Sequence, residues 1–145
     1  MTLYQFKLLD KMEQIEAVWD SPLLATIEDD DFIYDLHAET FFVFADEQQM
    51  EQVFINIIKN AMEAIDENGA ITFSLNILTR KFIIADTGKG IPKTAIEHLF
   101  SPFFSTKKDG QGIGLTLVRE ILINHEFNFS LETVEQGRTE FVIQF

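Results

Sequence analysis

The sequence predicts an α+β protein, a two-layer α/β sandwich in which three long helices back a mixed, mostly antiparallel sheet. Two observations lead to this fold class. Apolar strand-like segments come in closely spaced pairs, at 70–78 with 81–86 and at 127–134 with 139–145, and links this short join strands only as antiparallel hairpins. Segments of helical periodicity lie between the pairs. The short links disfavour a doubly wound parallel fold, which needs a crossover between successive strands.

The remaining elements follow from apolar spacing and from turn residues. Ser21 and Pro22 end the first helix. Asp46 is the expected N-cap of the longest helix, and Gly69 follows its expected end. The full prediction is a helix over 3–19, strands over 32–36 and 41–45, a helix over 46–68, the first strand pair, a short helix near 93–99, a helix over 112–124 and the final strand pair.

Composition predicts a single domain and excludes several function classes. The 145 residues are 46% apolar, enough for one hydrophobic core, and they contain no recognisable repeat, linker or low-complexity segment. We therefore expect one domain over 1–145, with residues 1–25 as an N-terminal helix and connector. No apolar run approaches the ~20 residues of a membrane span, and no signal peptide is recognisable. The absence of cysteine fits a reducing compartment, so we expect a cytoplasmic location.

The net charge of −13 argues against binding to nucleic acid or to anionic membranes. The charge is unevenly spread along the chain. Residues 26–51 hold nine acids and no Lys or Arg, whereas residues 86–119 hold five bases against three acids. The basic segment either serves an anionic ligand or reflects chance clustering, and charge alone does not decide between the two.

The long predicted helix has one apolar face and one polar face. At about 100° per residue, Asn56, Asn60 and Glu63 fall close together on the polar side. A solvated face would carry mostly Lys and Glu, which are better helix formers than Asn. Two asparagines one turn apart supply neutral carbonyl oxygens that suit Mg²⁺ beside substrate phosphates, although an ordinary polar face is the alternative. The apolar arc comprises Met50, Val53, Phe54, Ile57, Ala61 and Ile65.

Two glycine-bearing segments are candidate ligand loops. Asp86 ends an apolar strand and is followed by Gly88 and Gly90. A carboxylate there can accept a hydrogen bond from an exocyclic amine such as that of adenine, although a plain aspartate turn is the alternative. The segment "TKKDGQGIGL" (106–115) sets three glycines at alternate positions after two lysines. Either its backbone amides close on a phosphate or it is a flexible hairpin.

Four segments taken in order resemble the nucleotide-binding boxes of one family. They are "NIIKNAMEAI" (56–65), "DTGKGIP" (86–92), "FSPFFSTK" (100–107) and "GQGIGL" (110–115). Their order and spacing, over about residues 40–145, resemble the catalytic, ATP-binding domain of sensor histidine kinases, within the superfamily shared with gyrase and mismatch-repair ATPases. The residues of these four segments are most similar to those of the nitrogen-sensor-like branch of these kinases. The family fold, a mixed sheet backed by three helices, agrees with the fold class above.

The resemblance implies ATP and Mg²⁺ as ligands. Asn60 would coordinate Mg²⁺, Asn56 would lie near the γ-phosphate, and Asp86 would bind the adenine amine. Residues 93–111 would form a lid over the nucleotide, with Lys107 able to approach the phosphates. The implied catalytic residues are Asn56 and Lys107, and the implied nucleotide-binding set is Asn56, Asn60, Ala64, Asp86, Gly88, Gly90, Ile91, Lys107, Gly110, Gln111, Gly112, Ile113, Gly114, Leu115 and Thr139.

The resemblance also implies partners and a reaction. The domain would transfer the γ-phosphoryl group of ATP to a histidine on a dimerisation helix domain absent from this chain, and a response regulator receiver domain would accept it next. No nucleic acid or direct membrane contact is expected, whether or not the parent protein is membrane-anchored. A gyrase-type or mismatch-repair-type ATPase is an alternative, which Asn56 disfavours because those enzymes carry a basic glutamate there. A degenerate nucleotide-sensing or protein-binding module is another.

The sequence departs from the family pattern at several places. His37, His98 and His125 are its only histidines, and none lies in the context of a phosphoacceptor helix. The segment "HEF" (125–127) stands where "HGG" is usual, and "EQGRTEF" (135–141) has one glycine where two are common. We therefore expect the turn after His125 to be built differently.

Overall fold

The computed structural model describes residues 1–18, 32–33, 41–65, 69–100 and 114–145. These residues form two sheets, three α-helices and one 3₁₀ helix, which confirms the α+β class. The strands are β1 (Tyr4–Lys7), β2 (Phe32–Ile33), β3 (Phe42–Ala45), β4 (Ile71–Asn76), β5 (Lys81–Asp86), β6 (Asn128–Glu135) and β7 (Arg138–Gln144). The α-helices are α1 (Leu8–Val18), α2 (Glu47–Ala64) and α3 (Gly114–Asn124), and the 3₁₀ helix spans Lys93–His98.

The main sheet has five strands in the order β2-β4-β5-β7-β6. Both predicted hairpins are present, β4 with β5 and β6 with β7, and β5 also pairs antiparallel with β7. Among the described strands only β2 and β4 pair in parallel. The sheet is therefore mixed and mostly antiparallel, as the two hairpins predicted.

A second sheet, of two strands, corrects the prediction for the N-terminus. The helix expected over 3–19 begins only at Leu8, because residues 4–7 form β1 and pair antiparallel with β3. Phe6 is buried opposite Val43 in this pair, so its apolar side chain belongs to a strand contact and not to a helical face. Pairing with a strand almost forty residues away outweighs a local periodicity only four residues long.

Other element boundaries differ by smaller amounts. Helix α2 ends at Ala64 and not at Asn68, with Ile65 in extended backbone. The described part of helix α3 begins at Gly114, since the predicted start at residue 112 lies outside the described residues, and the predicted short helix is a 3₁₀ helix. Of the strand predicted over 32–36, the structure describes only β2.

Helix α2 lies across the inner face of the main sheet. Its sequence provides an N-cap residue and an apolar face that packs against the sheet. The Asp46 carboxylate accepts a hydrogen bond from the Gln49 N–H at 3.0 Å, which confirms Asp46 as the N-cap. The Phe54 ring meets the Phe82 ring of β5 edge-on, with centroids 5.8 Å apart. All six residues of the predicted apolar arc are buried, and Ile58 joins them.

The inner face of the sheet continues this core toward one edge. Along β5 the residues Phe82, Ile84 and Asp86 alternate on the buried side, so the apolar row ends in a carboxylate. Thr139 is the residue opposite Asp86 on β7 and is buried too. This polar end of the inner face is where the candidate site lies. None of the helices described is long and apolar enough to cross a membrane.

Candidate functional site

The site begins at the polar row of α2. The Asn56 side chain is half-buried, and its Nδ2 donates to the Gln52 carbonyl at 2.9 Å, one turn earlier in the helix. Asn60 lies one turn further on and is also half-buried. Glu63, the third member of the predicted row, is exposed. The two amides therefore lie at the edge of the core, where a ligand can reach them.

The start of α3 lies against this row. A Cβ atom added to Gly114 would lie 3.1 Å from the Asn56 Oδ1 atom, so the absence of a side chain lets the first turn of α3 approach the amide. The first N–H groups of a helix have no partner inside the helix and carry partial positive charge. Asn56, Gly114 and the partly buried Leu115 therefore bring together two of the segments that the sequence singled out.

Asp86 marks the other side of the site. Its side chain is only 8% exposed, and its Oδ1 accepts a hydrogen bond from the Gly88 N–H at 2.9 Å. Burial raises the pKa of the Asp86 carboxyl above its usual value, and the Gly88 hydrogen bond only partly offsets this. A buried carboxylate with one backbone donor has acceptor capacity left for a ligand amine.

Gly88 joins this carboxylate to α2. A Cβ atom at Gly88 would lie 2.5 Å from the Ala64 carbonyl oxygen and 2.8 Å from the Ala64 Cβ atom, a distance at which no side chain fits. The next residue, Lys89, donates its N–H to the same carbonyl at 3.1 Å. The glycine turn after β5 is therefore packed directly on the last residue of α2, which places Asp86 at the end of the asparagine row.

Thr87 ties the same turn to the start of β4, and sequence reasoning missed it. Its N–H donates to the Ala70 carbonyl at 3.2 Å, and its Oγ1 accepts from the Ala70 N–H at 2.9 Å. The spacing within "DTGKG" contains no signal for this contact, because its partner lies 17 residues away.

The turn is held on its far side by two threonines. Gly90 has φ +81°, a conformation that favours glycine, and Ile91 donates its N–H to the Thr133 Oγ1 at 2.8 Å. The Thr133 and Thr139 hydroxyl oxygens are 3.0 Å apart. Thr133 was not predicted, although "FNFSLETV" contained a signal, a polar residue continuing the alternation of Phe129 and Leu131.

The structure thus brings together a large part of the implied set. Asn56 and Gly114 are in contact, and a chain of contacts links Ala64, Gly88, Asp86, Gly90, Ile91 and Thr139. Asn60 and Leu115 lie within the same two helices. The predicted residues Lys107, Gly110, Gln111, Gly112 and Ile113 lie outside the described residues, as does the part of the predicted lid beyond residue 100.

The described part of the segment predicted as a lid, residues 93–100, is attached to the main sheet and to α3 through Phe100. The Phe100 ring meets the rings of Phe129 and Phe141 edge-on, with centroids 5.4 Å and 6.5 Å away. The Phe100 carbonyl accepts a hydrogen bond from the Thr116 hydroxyl of α3 at 3.2 Å. Phe100 is therefore packed on β6 and β7 and hydrogen-bonded to α3.

The two segments that depart from the family pattern, 125–127 and 135–141, both form turns. Glu126, in place of a glycine, has φ +60°, and the chain turns there as Phe127 donates its N–H to the Leu122 carbonyl at 3.0 Å. The single glycine of the last hairpin, Gly137, has φ +81° between β6 and β7. The first turn therefore forms with neither of the usual glycines, although Glu126 has a side chain that disfavours this conformation, and the second turn forms with one glycine.

The metal prediction rests on Asn60 alone. Within the described residues no three His, Cys, Asp or Glu side chains come together in a way that could hold a metal ion. A magnesium ion at Asn60 would therefore take its other ligands from a nucleotide or from water, which matches the behaviour of Mg²⁺ at phosphate sites. The half-buried amide fits such a role.

Comparison with known proteins identifies the class. Residues 45–145 match the family described as histidine kinase-, DNA gyrase B-, and HSP90-like ATPase. This is well over half of the chain, so the chain belongs to that family of ATP-binding domains.

Relatives and solved structures narrow the class to sensor kinases. Sporulation kinase C of Bacillus subtilis (strain 168) is 39% identical over 95 residues, 64% of this chain and 22% of that protein. The sensory histidine kinase/phosphatase NtrB of Rhizobium meliloti (strain 1021) is 39% identical over 101 residues, 57% of this chain and 26% of that protein. The chain thus spans about a quarter of the length of these relatives.

The structural neighbours agree. The nucleotide-free catalytic domain of histidine kinase ThkA has a TM-score of 0.77 and 28% identity over 99% of this chain and 94% of that one. ThkA in complex with response regulator protein TrrA has a TM-score of 0.72 and 26% identity over 97% of this chain and 40% of that one. The resemblance is confirmed, NtrB-type kinases included. The chain is a histidine kinase-type, ATP-binding catalytic domain of the kind found in sensor kinases.

Proposed function

We propose that this domain binds Mg-ATP and transfers the γ-phosphoryl group to a histidine on a dimerisation helix domain that is not part of this chain. The observation that carries the proposal is the buried Asp86 carboxylate, which lies between the glycine turn packed on Ala64 and the Thr139 strand. A buried acid is costly unless it binds something, and this one retains acceptor capacity.

The base would bind at this end of the site. Asp86 would accept a hydrogen bond from the exocyclic amine of adenine, and the half-buried Ile91 would contact one side of the ring. Gly88 and Gly90 would let the backbone pass close to the base, since the turn they form already lies against α2 and β6. Thr139, opposite Asp86, would contribute a hydroxyl at the same edge.

The phosphates would lie along the polar row of α2 and the first turn of α3. Asn56 would position the γ-phosphate, Asn60 would hold Mg²⁺, and the N–H groups near Gly114 would face the phosphate oxygens. When bound, Mg²⁺ neutralises charge on the phosphates. We propose residues 93–111 as the lid within a single domain over 1–145, with 1–25 as its N-terminal helix and connector. Lys107 and the loop formed by Gly110, Gln111, Gly112 and Ile113 would close over the phosphates.

Asn56 also bears on which reaction follows. Its amide donates to Gln52 and has no basic oxygen that could take a proton from water. An imidazole nucleophile needs no such base, and slow hydrolysis preserves the phosphoryl group for transfer. We therefore favour a kinase over a gyrase-type ATPase.

The partners follow from the reaction. The acceptor would be a dimerisation helix domain of the parent protein, and a response regulator would receive the phosphoryl group, as the ThkA–TrrA complex illustrates for a neighbour. Because ATP is available in the cytoplasm, we place the domain there. Without its acceptor the isolated domain would bind nucleotide but show little turnover.

The proposal is tested by calorimetry and then by phosphotransfer. Wild-type protein is titrated with Mg-ADP, alongside Asp86→Asn and the matched control Asp10→Asn, an exposed aspartate on α1. We expect binding by the wild type and by the control, and loss of binding in Asp86→Asn. Labelled ATP is then mixed with the domain and a separately made acceptor helix domain from the parent protein. No heat at millimolar nucleotide would refute nucleotide binding, and hydrolysis without transfer would favour the ATPase alternative.

A further inference from the structure

Thr133 lies beside the candidate site, but it belongs to none of the sequence segments from which the site was predicted. We propose that Thr133 is a positioning residue for the nucleotide base. Its hydroxyl fixes the glycine turn and directs the proton of the Thr139 hydroxyl, so that the pocket selects an adenine-type edge. The inference rests on the proposed function, because the base in question is that of the bound nucleotide.

The contacts of Thr133 join three parts of the site. Its Oγ1 accepts the Ile91 N–H at 2.8 Å and lies 3.0 Å from the Thr139 Oγ1. A Cβ atom added to Gly90 would lie 3.0 Å from the same oxygen. Ile91 and Gly90 belong to the turn after β5, and Thr139 lies on β7, so one hydroxyl fixes the turn to the sheet.

Either hydroxyl of the Thr133–Thr139 pair can be the donor. A threonine hydroxyl has one proton and two acceptor positions. In the direction that the inference takes, Thr133 accepts from the Ile91 N–H and donates its own proton to the Thr139 oxygen. Thr139 keeps its own proton for a further acceptor.

That remaining proton lies at the base-binding edge. Thr139 and Asp86 are directly opposite on neighbouring antiparallel strands, so their side chains share the buried face about 4.5–5.5 Å apart at Cβ. The edge therefore offers an acceptor, the Asp86 carboxylate, beside a donor, the Thr139 hydroxyl.

This donor–acceptor order matches one class of base. Adenine presents an amine donor next to a ring nitrogen acceptor, whereas the base of inosine presents a carbonyl acceptor next to a ring N–H donor. The amine of adenine can donate to the Asp86 carboxylate, and its ring nitrogen can accept from the Thr139 hydroxyl. The base of inosine would instead place an acceptor against the Asp86 carboxylate and a donor against the Thr139 hydroxyl. By holding the Thr139 hydroxyl as a donor, Thr133 would add to the discrimination that Asp86 provides.

The strand itself is irregular at this residue. Thr133 is opposite Thr139, but the pairing of β6 with β7 shifts register between Thr133 and Glu135. Bulges of this kind redirect side chains beside functional sites. Thr133 is the last regularly paired residue of β6 before the shift, and its hydroxyl accepts the Ile91 N–H of the turn.

The test compares Thr133→Val, which removes the hydroxyl at nearly equal volume, with Thr133→Ser, which keeps it. Thr72→Val is the matched control, since Thr72 alternates with the buried Ile71 and Phe73 and so faces the outer side of β4. Mg-ADP and Mg-IDP are titrated into each protein. We expect Thr133→Val to lose about three- to tenfold in ADP affinity with no change for IDP, and Thr133→Ser to restore the wild-type ratio.

Amide exchange provides a readout without ligand. In the free protein the Ile91 amide should exchange faster in Thr133→Val than in the wild type. In Thr133→Ser it should exchange at the wild-type rate. Unchanged exchange overturns the contact, and equal losses for ADP and IDP overturn the selective role. A wild type that binds ADP while Thr133→Val binds it equally well refutes this inference alone. A wild type that binds no ADP refutes the proposed function and the inference together.

Discussion

The two ends of helix α2 are each marked by an aspartate, and the two carboxylates have opposite pKa shifts. At the N-terminal end the Gln49 N–H, followed by the Thr2 N–H, lowers the pKa of Asp46. At the C-terminal end burial raises the pKa of Asp86 in spite of a hydrogen bond from Gly88. Both accept backbone N–H donors, so the difference lies in their solvation.

The N-terminal end is a structural anchor. The Lys11 ammonium, almost fully buried, lies 2.9 Å from the Glu47 carboxylate and 3.3 Å from that of Glu51, which ties α1 to α2. The Asp46 N–H donates to the His125 Nε2 at 3.0 Å, which ties α3 to α2. The polar groups here are paired with one another.

The C-terminal end bears a carboxylate that is costly to bury. A lowered pKa stabilises the fold above the unfolded pKa, and this contribution of Asp46 is lost as the pH falls through its folded pKa. A raised pKa has the opposite sign, so Asp86 reduces stability as the pH rises from the unfolded value toward its folded value. Helix α2 is thus anchored at its N-terminal end, and its C-terminal end packs against the turn that follows a buried, destabilising carboxylate, the group proposed to bind the ligand.

The largest effect is expected where the site end touches the helix. In Gly88→Ala the new methyl would lie 2.5 Å from the Ala64 carbonyl, so we expect the free energy of unfolding to fall by about 2–3 kcal/mol and ADP binding to be lost. Denaturant unfolding and calorimetry measure both. Gly137→Ala is the control, because it has φ +81° but nothing within 4 Å, and it should lose stability without losing affinity. Wild-type stability in Gly88→Ala would contradict the packing.

Asp86→Asn separates binding from folding. Because the amide cannot carry the charge that binds an amine strongly, ADP affinity should fall by about tenfold or more. Stability at neutral pH should stay equal or rise, since the buried charge is gone. The difference in unfolding free energy between variant and wild type should grow as the pH rises above the usual aspartate pKa. A variant that is clearly less stable than the wild type at neutral pH would show that Asp86 is structural.

His125→Ala tests the anchored end. The Nδ1 atom lies 2.7 Å from the Ile121 carbonyl, so Nδ1 carries the proton and Nε2 accepts from Asp46. Removing the ring leaves the Asp46 N–H without its acceptor and should cost about 1–3 kcal/mol of stability. ADP affinity should not change when measured well below the melting temperature. A large loss of affinity would mean that the two ends of α2 are coupled.

The smallest effect is expected at Glu126. Because its φ of +60° is strained for a residue with a side chain, Glu126→Gly should raise the free energy of unfolding by up to about 1 kcal/mol. Glu126→Ala, which keeps the strain, is the control and should stay near the wild-type value. Thermal unfolding of the three proteins measures the difference, and a less stable glycine variant would contradict it.

Much of the fold was predictable because it depends on local chemistry. The cap at Asp46 and the apolar arc of α2 follow from residues within one helix, and the hairpins follow from strand pairs with short links. The pairing of β1 with β3 was not predictable, since a four-residue strand so close to a helical pattern contains too little signal.

The candidate site likewise has features that were predictable from the sequence and features that were not. The sequence alone determined which residue types to consider, among them Asn56, Asn60 and Asp86, because a ligand requires particular donors and acceptors at a helix face and a strand end. Only the tertiary structure decided that Gly88 lies on Ala64, that Thr133 holds Ile91, and that His125 caps the far end of α2. These contacts join residues 24 to 79 positions apart, and close packing between remote segments leaves no periodic pattern in the sequence.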